Sequence, residues 1–222
     1  MAGAAGDPID VVYGRRAVAE AKRGRRRVRR VWTSAELGAR DLTRLAGSPD
    51  HQGIVAEVDP YPYADPRALI AAPDAFVIAL DQVQDPRNLG AVCRSAEAAG
   101  ATGVVIPARR AAGVTPAAAK SSAGAVEHLA VARASNLADW LAIAKEAGAW
   151  VYGAESGASI SYVDADLTGK VVLVLGSEGR GLRRRVAESC DAMISIPIRG
   201  CVESLNVSAT AAILAFEVAR QR

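Results

Sequence analysis

The sequence is poor in the residues that build disulfide scaffolds, metal centres and membrane spans. Its 222 residues include three cysteines and two histidines, and Cys93, Cys190 and Cys201 have no C-x-x-C spacing. Neither a structural zinc site nor a disulfide framework is expected, and an odd number of thiols fits a reducing compartment. No apolar run approaches the roughly 18 residues that span a bilayer, and the N-terminus lacks the segments of a signal peptide. We therefore expect a cytoplasmic protein that binds no metal and no membrane.

Aromatic side chains are also scarce, at 5% of residues, although half of the chain is apolar. The core must therefore be built mainly from Ala, Val, Leu and Ile, which suits helices packed on a buried parallel sheet. The length fits one main domain with a small accessory domain.

Positive charge is concentrated in one short stretch. The net charge is only +3, but residues 22–30 contain seven Lys and Arg side chains. A run of this kind is either a solvated surface or a phosphate-binding segment, and its arginine content is typical of the second. Both readings stay open from composition alone.

The first 60 residues have the pattern of a small α/β unit. The predicted elements are helices at 11–24 and 34–45, the second begun by a Ser34 cap, and strands at 28–32 and 52–58. Prolines then become frequent, which excludes a helix interior or a central strand. We therefore divide the chain into a small basic domain at 10–59, a linker at 60–74 and a main domain at 75–222.

In the main domain, continuous apolar runs alternate with helical patterns, as in a doubly wound sheet that is covered on both faces. The predicted strands are 76–80, 103–106, 150–153, 171–175 and 192–196. The predicted helices are 89–99, 116–123, 136–146 and 205–220, with a short turn near 182–189. Ligands of such sheets bind at the C-terminal ends of the strands.

Two of these strand ends carry unusual sequence. Residues 81–90 read DQVQDPRNLG, where Asn88 taken alone is best read as a helix N-cap. Arg94 taken alone is equally well read as an ion-pair partner of Glu97. Residues 174–182 read VLGSEGRGL, and their three glycines permit a tight loop with exposed backbone N–H groups. No Lys-Ser/Thr follows the last glycine, which excludes a P-loop, and the G-x-x-G-x-G spacing after a late strand excludes the dinucleotide-binding fingerprint.

The third strand end leads into the last predicted helix. Residues 194–208 read ISIPIRGCVESLNVS and place Ser204, Asn206 and Ser208 at the helix entrance. Such side chains satisfy the free N–H groups of a first helical turn, so capping is the simplest reading of this segment taken alone.

Taken together and in this order, the three segments resemble the three motifs of the SpoU-type (TrmH-like) ribose 2′-O-methyltransferases. These enzymes belong to the SPOUT class of RNA methyltransferases, which use S-adenosylmethionine. The matching pattern is D-x-x-x-DP-x-NLG-x-x-x-R, LGSEG-x-GL and IPI-x-G-x-x-ESLNVS, over residues 76–222. The front domain, which ends in HQGIVA, is similar to the substrate-binding module of the rRNA-directed branch. The stretch between residues 32 and 51 is shorter than in that module, so we expect part of it to be missing or rebuilt.

The resemblance implies a parallel-sheet SPOUT domain with a C-terminal trefoil knot that holds S-adenosylmethionine, preceded by a small α/β substrate-binding domain, and a homodimer. The implied cofactor contacts are Gly176, Ser177, Glu178, Ile196, Leu205 and Ser208. The implied catalytic residues are Arg94, Asn88, Glu178, Ser204 and Asn206. RNA contacts are expected from Arg15, Arg25, Arg26, Arg27, Arg29 and Arg30.

The role of Arg94 stays open. The matching arginine of the family is usually assigned as the base that removes the 2′-hydroxyl proton. A guanidinium stays protonated up to about pH 12, so a neutral base requires a special environment. An arginine that binds phosphate and orients the hydroxyl is chemically easier.

We therefore expect S-adenosylmethionine-dependent methylation of a ribose 2′-hydroxyl in structured RNA, with a guanosine of 23S rRNA as the favoured target and tRNA as the alternative. A non-catalytic RNA-binding or ribosome-assembly protein on the same fold is expected to have lost one of the five implied catalytic residues, and all five are present. A nucleotide-binding oxidoreductase requires an early G-x-G-x-x-G followed by an acidic residue, and the chain has neither.

Overall fold

Residues 8–222 are described by the computed structural model, and their strands form two separate sheets. In chain order the strands are β1 (Asp10–Tyr13), β2 (Val28–Thr33), β3 (Ile54–Val58), β4 (Phe76–Asp81), β5 (Gly103–Pro107), β6 (Ala130–Ala134), β7 (Trp150–Ala154), β8 (Ile160–Ser161), β9 (Val171–Gly176) and β10 (Ala192–Ser195). The α-helices are α1 (Arg15–Ala21), α2 (Ala39–Ala46), α3 (Pro86–Ala98), α4 (Pro116–Ser121), α5 (Leu137–Glu146), α6 (Arg184–Ala187) and α7 (Val207–Gln221). Short 3-10 turns lie at Pro49–His51, Ala68–Ile70 and Ala125–Glu127.

The larger sheet has seven strands in the order β6-β5-β4-β9-β7-β10-β8, and its pairs are parallel. All six residues of β4 are buried, as are the first five of β9, because helices cover both faces of the sheet. The expected α/β class with a parallel sheet is therefore confirmed. Two strands of this sheet were absent from the sequence prediction, namely β6 and the two-residue β8.

The position of β9 determines where the polar strand ends meet. This strand lies between β4 and β7, although about 90 residues of chain separate it from β4. Asp81, the last residue of β4, pairs with Gly176, the last residue of β9. Two of the three conspicuous segments therefore begin side by side at the C-terminal edge of the sheet.

The front unit contains a three-stranded antiparallel sheet in the order β1-β3-β2. The prediction of a helix at 11–24 was wrong at its start, because Val11 and Val12 pair with β3 and the left-handed φ of 94° at Gly14 separates β1 from α1. The predicted helix at 34–45 begins at Ala39 instead, after a turn in which the Ser34 hydroxyl donates to a backbone carbonyl. The predicted strand at 52–58 likewise begins at Ile54.

The apolar core is continuous between the front unit and the larger sheet. Val12 and Val18 of the front unit belong to the same buried cluster as Val126 and Leu129, which precede β6. The Tyr61 hydroxyl lies 3.1 Å and 3.0 Å from the carbonyl oxygens of Val126 and Leu129. The division of the chain at residues 60–74 stays a prediction, since side chains pack across it.

Within residues 8–222, no helix combines the length and the hydropathy needed to span a bilayer. The same part of the chain holds no group of three His, Cys, Asp or Glu side chains placed to bind a metal ion.

Candidate active site

Three polar side chains from distant parts of the sequence meet at the C-terminal edge of the larger sheet. The Asn88 amide nitrogen donates to Oε1 of Glu178 at 3.0 Å. The Asn206 amide nitrogen donates to the same oxygen at 2.5 Å and to Oδ1 of Asn88 at 3.2 Å. Hydrogen bonds to a carboxylate are stronger than those between neutral groups. We refer to Asn88, Glu178 and Asn206 as the amide–carboxylate cluster.

Helix α3 presents Asn88 to this cluster from its first turn. The N-cap of α3 is Asp85, whose side chain accepts a hydrogen bond from the Arg87 backbone at 2.8 Å, and Pro86 occupies the first helical position. The reading of Asn88 as an N-cap was therefore wrong. The Asn88 amide is not needed to cap the start of the helix, and it contacts Glu178 instead.

Helix α7 presents Asn206, which does act as a cap. Its Oδ1 accepts hydrogen bonds from the backbone of Ser208 at 2.8 Å and from the Ser208 hydroxyl at 2.6 Å. The capping predicted for this segment is thereby confirmed for Asn206. The oxygen of its amide group caps the helix while the nitrogen contacts Glu178.

Glu178 is presented by a tight loop after β9. Ser177 and Gly181 exchange two backbone hydrogen bonds, of 3.2 Å and 3.0 Å, which close this loop. The returning chain lies directly against Gly176, where a Cβ atom would come within 2.2 Å of the Gly181 carbonyl carbon. Only glycine fits at position 176, which explains one glycine of the LGSEG segment.

A cavity of about 490 Å³ opens beside this loop. Its lining combines apolar side chains with polar groups from the loops after β7, β9 and β10. It is lined by Ala154, Glu155, Ser156, Leu175, Gly176, Ser177, Glu178, Gly179, Arg180, Gly181, Leu182, Ile194, Ile196, Ile198, Glu203, Ser204, Leu205, Val207, Thr210 and Leu214. The Ser156 hydroxyl donates to the Glu203 carbonyl at 2.8 Å and so links two of these loops. The volume is typical of a pocket that encloses one small organic molecule or cofactor.

The residues predicted to bind a cofactor are largely found around this cavity. Gly176, Ser177, Glu178, Ile196 and Leu205 line it, and so does Ser204 from the predicted catalytic set. Ser208 does not line it, because its hydroxyl is directed to Asn206.

A second, more polar cavity of about 420 Å³ adjoins the first. It is lined by Gln82, Val83, Gln84, Asp85, Asn88, Ser177, Glu178, Arg180 and Val207. Glu178 lines both cavities and Asn88 lines the second, whereas Asn206 lines neither and joins their boundary through its hydrogen bond to Glu178. The residues of this cavity other than Asn88, Ser177 and Glu178 were not among the predicted site residues. The one available signal for Gln82 is its place directly after a strand end.

Arg94 is not brought to this cluster within one chain. It follows Asn88 by six residues on α3, which places it about 240° around and about 9 Å along the helix. Arg94 is exposed and lines neither cavity. Within residues 8–222, the ion pair considered with Glu97 is absent.

The arginines of the basic run have different surroundings. Arg26 is buried and forms an ion pair with Glu127, and Arg25 donates to the backbone carbonyls of residues 127 and 129. Arg29 pairs with Asp59 at 2.6 Å. Arg27 is exposed, and so is Arg30, whose guanidinium stacks 3.5 Å above the Trp32 ring. Arg15 is exposed at the start of α1.

Two of the three thiols are unsuited to nucleophilic chemistry. Burial raises the pKa of Cys93 to about 12 and, together with the nearby Asp191 carboxylate, that of Cys190 to about 12. Both therefore stay protonated at neutral pH, and neither borders the amide–carboxylate cluster.

Comparison with known proteins agrees with this geometry. Residues 75–216 match the family model described as the SpoU rRNA Methylase family. The chain belongs to the SpoU rRNA methylase family. The matched region contains all members of the amide–carboxylate cluster.

Relatives and solved structures named as methyltransferases resemble the chain over most of its length. A tRNA/rRNA methyltransferase of Mycolicibacterium smegmatis, described as uncharacterized, is 46% identical over 192 residues, which cover 84% of this chain and 61% of the relative. The chain thus spans about three fifths of the length of such relatives. The SpoU methyltransferase AviRb from Streptomyces viridochromogenes, crystallised with AdoMet, superposes with a TM-score of 0.79 at 29% identity, covering 96% of this chain and 90% of AviRb. An RNA 2′-O ribose methyltransferase superposes with a TM-score of 0.76 at 26% identity, covering 96% and 88%.

Proposed function

We propose that the chain transfers a methyl group from S-adenosylmethionine to a ribose 2′-hydroxyl of structured RNA. The observation that carries this proposal is the amide–carboxylate cluster at the boundary of two cavities. A methyl transfer needs a donor and an acceptor in line on either side of the moving carbon. Two adjoining cavities with polar groups between them suit that requirement.

The first cavity is proposed to hold S-adenosylmethionine, which supplies a methyl group on a positively charged sulfur. Its apolar lining residues, which include Ile194, Ile196 and Leu214, suit an adenine ring. The carboxylates of Glu155 and Glu203 are available for the polar and cationic parts of the cofactor. The AdoMet-bound AviRb structure supports this assignment. The trefoil knot implied by the motifs belongs to the same proposal and is supported by the similarity of fold.

The second cavity is proposed to receive the acceptor nucleoside. Asn88, which lines this cavity, then orients the 2′-hydroxyl oxygen toward the first cavity, and Asn206 holds Glu178 beside it. The new O–C bond forms as the S–C bond breaks, and the hydroxyl proton passes to Oε2 of Glu178. Among the residues that the structure describes, this second carboxylate oxygen has no protein partner, whereas Oε1 accepts both amides.

Arg94 is proposed to act from the partner subunit of a homodimer, where it binds an RNA phosphate and orients the hydroxyl. Its exposure and its distance from Asn88 along α3 favour an action in a neighbouring copy over one in its own chain. A second copy has an apolar surface to cover, because Phe216 on α7 is 53% exposed and Val202 is 64% exposed. Helix α7 packs beside α3, so a partner on Phe216 lies close to the helix that carries Arg94.

Ribosomal RNA is proposed as the substrate, with a guanosine of 23S rRNA as the target, in the cytoplasm. The description of the matched family as rRNA methylases supports rRNA over tRNA. Of the six arginines considered for RNA contacts, we retain the exposed residues Arg15, Arg27 and Arg30. The guanidinium groups of Arg25, Arg26 and Arg29 already contact protein groups, so these three residues are left out.

The test is incubation with labelled S-adenosylmethionine and separate 23S rRNA, 16S rRNA and tRNA pools, followed by mapping of the modified nucleotide. We expect label on a ribose of 23S rRNA. Asn88→Ala is expected to bind the cofactor and transfer no label, while Arg87→Ala, its exposed neighbour on α3, serves as the matched control. Label on a base contradicts the 2′-hydroxyl assignment, and label in tRNA alone contradicts the substrate. Cofactor binding without label in any pool favours a non-catalytic RNA-binding protein.

A further inference from the structure

The carboxylate of Asp81 is fully buried at the end of β4 and is bound by both the side chain and the backbone of one residue. Nε of Arg183 donates to Oδ1 at 2.7 Å, and Nη2 forms an ion pair with the same oxygen at 2.7 Å. The Arg183 backbone N–H donates to Oδ2 at 2.8 Å. The Arg183 side chain is 45% exposed, so the arginine reaches inward from the surface to a carboxylate that solvent does not touch.

This contact fixes the return of the loop that carries Glu178. The loop leaves the sheet at Gly176, which pairs with Asp81 in the ladder between β4 and β9. It comes back at Arg183, which is bound to the Asp81 side chain. Asp81 therefore holds both ends of the loop, one through the backbone ladder and one through its carboxylate.

The loop is held at its tip as well. Glu178 accepts hydrogen bonds from Asn88 and Asn206, which belong to other elements. Since the peptide chain between 176 and 183 is short and is closed by the Ser177–Gly181 bonds, a shift at Arg183 moves Glu178. The anchor and the amide–carboxylate cluster are thus parts of one connected unit.

The Asp81–Arg183 ion pair is better explained by orientation of the loop than by stability alone. Replacing a buried ion pair by apolar side chains of similar volume is often neutral or stabilising, so stability alone does not explain it. The planar guanidinium fork binds a carboxylate in a defined direction, which an apolar contact does not provide. An orienting function accounts for the fork as well as for the backbone bond.

We propose that Asp81 and Arg183 are positioning residues that set the place of Glu178 for methyl transfer. The inference rests on the proposed function for the role of Glu178, but the anchoring of the loop can be measured without activity. Asp81 and Arg183 touch neither substrate nor cofactor in this proposal and act through the loop.

The test compares Arg183→Ala with Arg184→Ala. Arg184 is the matched control, because its side chain is 90% exposed and pairs with Glu188, the C-cap residue of α6. We expect Arg183→Ala to lower kcat by about 10- to 100-fold, since small displacements of reacting groups have costs of that size. Arg183→Lys keeps the charge but loses the planar guanidinium. Its kcat is expected to lie between those of Arg183→Ala and Arg184→Ala.

A double-mutant cycle separates positioning from a general loss of structure. If Arg183 acts through Glu178, Arg183→Ala has little further effect in a Glu178→Gln background, because the group that it positions is already altered. Full additivity of the two substitutions overturns the inference. So does wild-type kcat in Arg183→Ala.

Hydrogen exchange gives a readout that does not depend on catalysis. The amides of Ser177 and Gly181 are expected to exchange about tenfold faster in Arg183→Ala than in Arg184→Ala, because the loop opens locally. Equal exchange in the two variants overturns the anchoring. Faster exchange in a protein whose wild type transfers no methyl group supports the anchoring and contradicts the proposed function instead.

Discussion

The guanidinium of Arg26 forms a two-pronged ion pair with the carboxylate of Glu127, at the contact between the front unit and the larger sheet. The two side chains are 3% and 0% exposed. Arg26 also stacks over Tyr61, whose hydroxyl approaches the same backbone segment. Together with the continuous apolar core, this pair fixes the orientation of the front unit relative to the candidate site.

Arg26→Ala is expected to destabilise the fold by about 3–5 kcal/mol, because it leaves the buried Glu127 carboxylate without a partner. Urea unfolding followed by circular dichroism measures the change. Arg23→Ala is the control, since Arg23 is 73% exposed and pairs with Glu20 on the surface, where an ion pair is worth about 1 kcal/mol or less. Equal losses in the two variants contradict a special contribution of the buried pair.

Arg27→Ala and Arg30→Ala are each expected to weaken RNA binding and to reduce the salt dependence of the binding constant by about one unit of slope. Titration of RNA at several salt concentrations measures this slope. Arg44→Ala provides a control on α2, where an exposed arginine pairs with Asp41. An unchanged slope in the Arg27 and Arg30 variants removes the basic run from the proposed RNA surface.

Gly176→Ala is expected to abolish binding of S-adenosylmethionine, because the added Cβ would overlap the Gly181 carbonyl group and force the loop open. Isothermal titration calorimetry measures the affinity. Gly200→Ala is the matched control in the neighbouring loop, since its Cβ would meet no atom within 4 Å. Wild-type affinity in Gly176→Ala contradicts the placement of the cofactor.

Arg94→Ala is expected to lose turnover while it keeps cofactor binding, since Arg94 lines neither cavity. If Arg94 acts across a homodimer, a hybrid of one Asn88→Ala and one Arg94→Ala subunit recovers about half of wild-type turnover, because one of its two sites is intact. Co-expression with two affinity tags and an assay of the purified hybrid measure this recovery. An inactive hybrid places Arg94 in its own chain.

Glu217→Gln is expected to flatten the acid dependence of stability. Hydrogen bonds from Arg220 and Gln221 lower the pKa of Glu217 from 4.5 to about 2. A lowered folded-state pKa stabilises the protein above the unfolded value, and this contribution is lost as the pH falls from 4.5 toward 2. Denaturant unfolding across this range measures it, with Glu146→Gln on α5 as the exposed control. The same acid dependence in both variants refutes the assignment.

Much of the larger sheet could be predicted because its central strands are continuous apolar runs. β4 and β9 were placed to within one residue. β6 was missed because its sequence, AVARA, is rich in alanine, which has no strand preference. β1 was missed because its valines continue into a helical pattern, and only the backbone at Gly14 separates the two.

Site residues could be predicted where a single segment has an unusual sequence at a strand end. Asn88, Glu178 and Asn206 stand in three conspicuous segments at strand ends, and the structure brings them together. The Asp81–Arg183 contact joins residues 102 positions apart and has no signature in local spacing. The surroundings of Arg26 were equally hidden, since burial against Glu127 depends on how the two units pack.

The central place of β9 has a consequence for biosynthesis. Until residue 171 has left the ribosome, β4 and β7 have no strand between them, and each presents an open hydrogen-bonding edge. Chains truncated before that point therefore expose two apolar edges that can pair with other molecules, and they are expected to aggregate or to require a chaperone. Asn206 is synthesised later still, so a nascent chain completes its sheet before it completes the amide–carboxylate cluster.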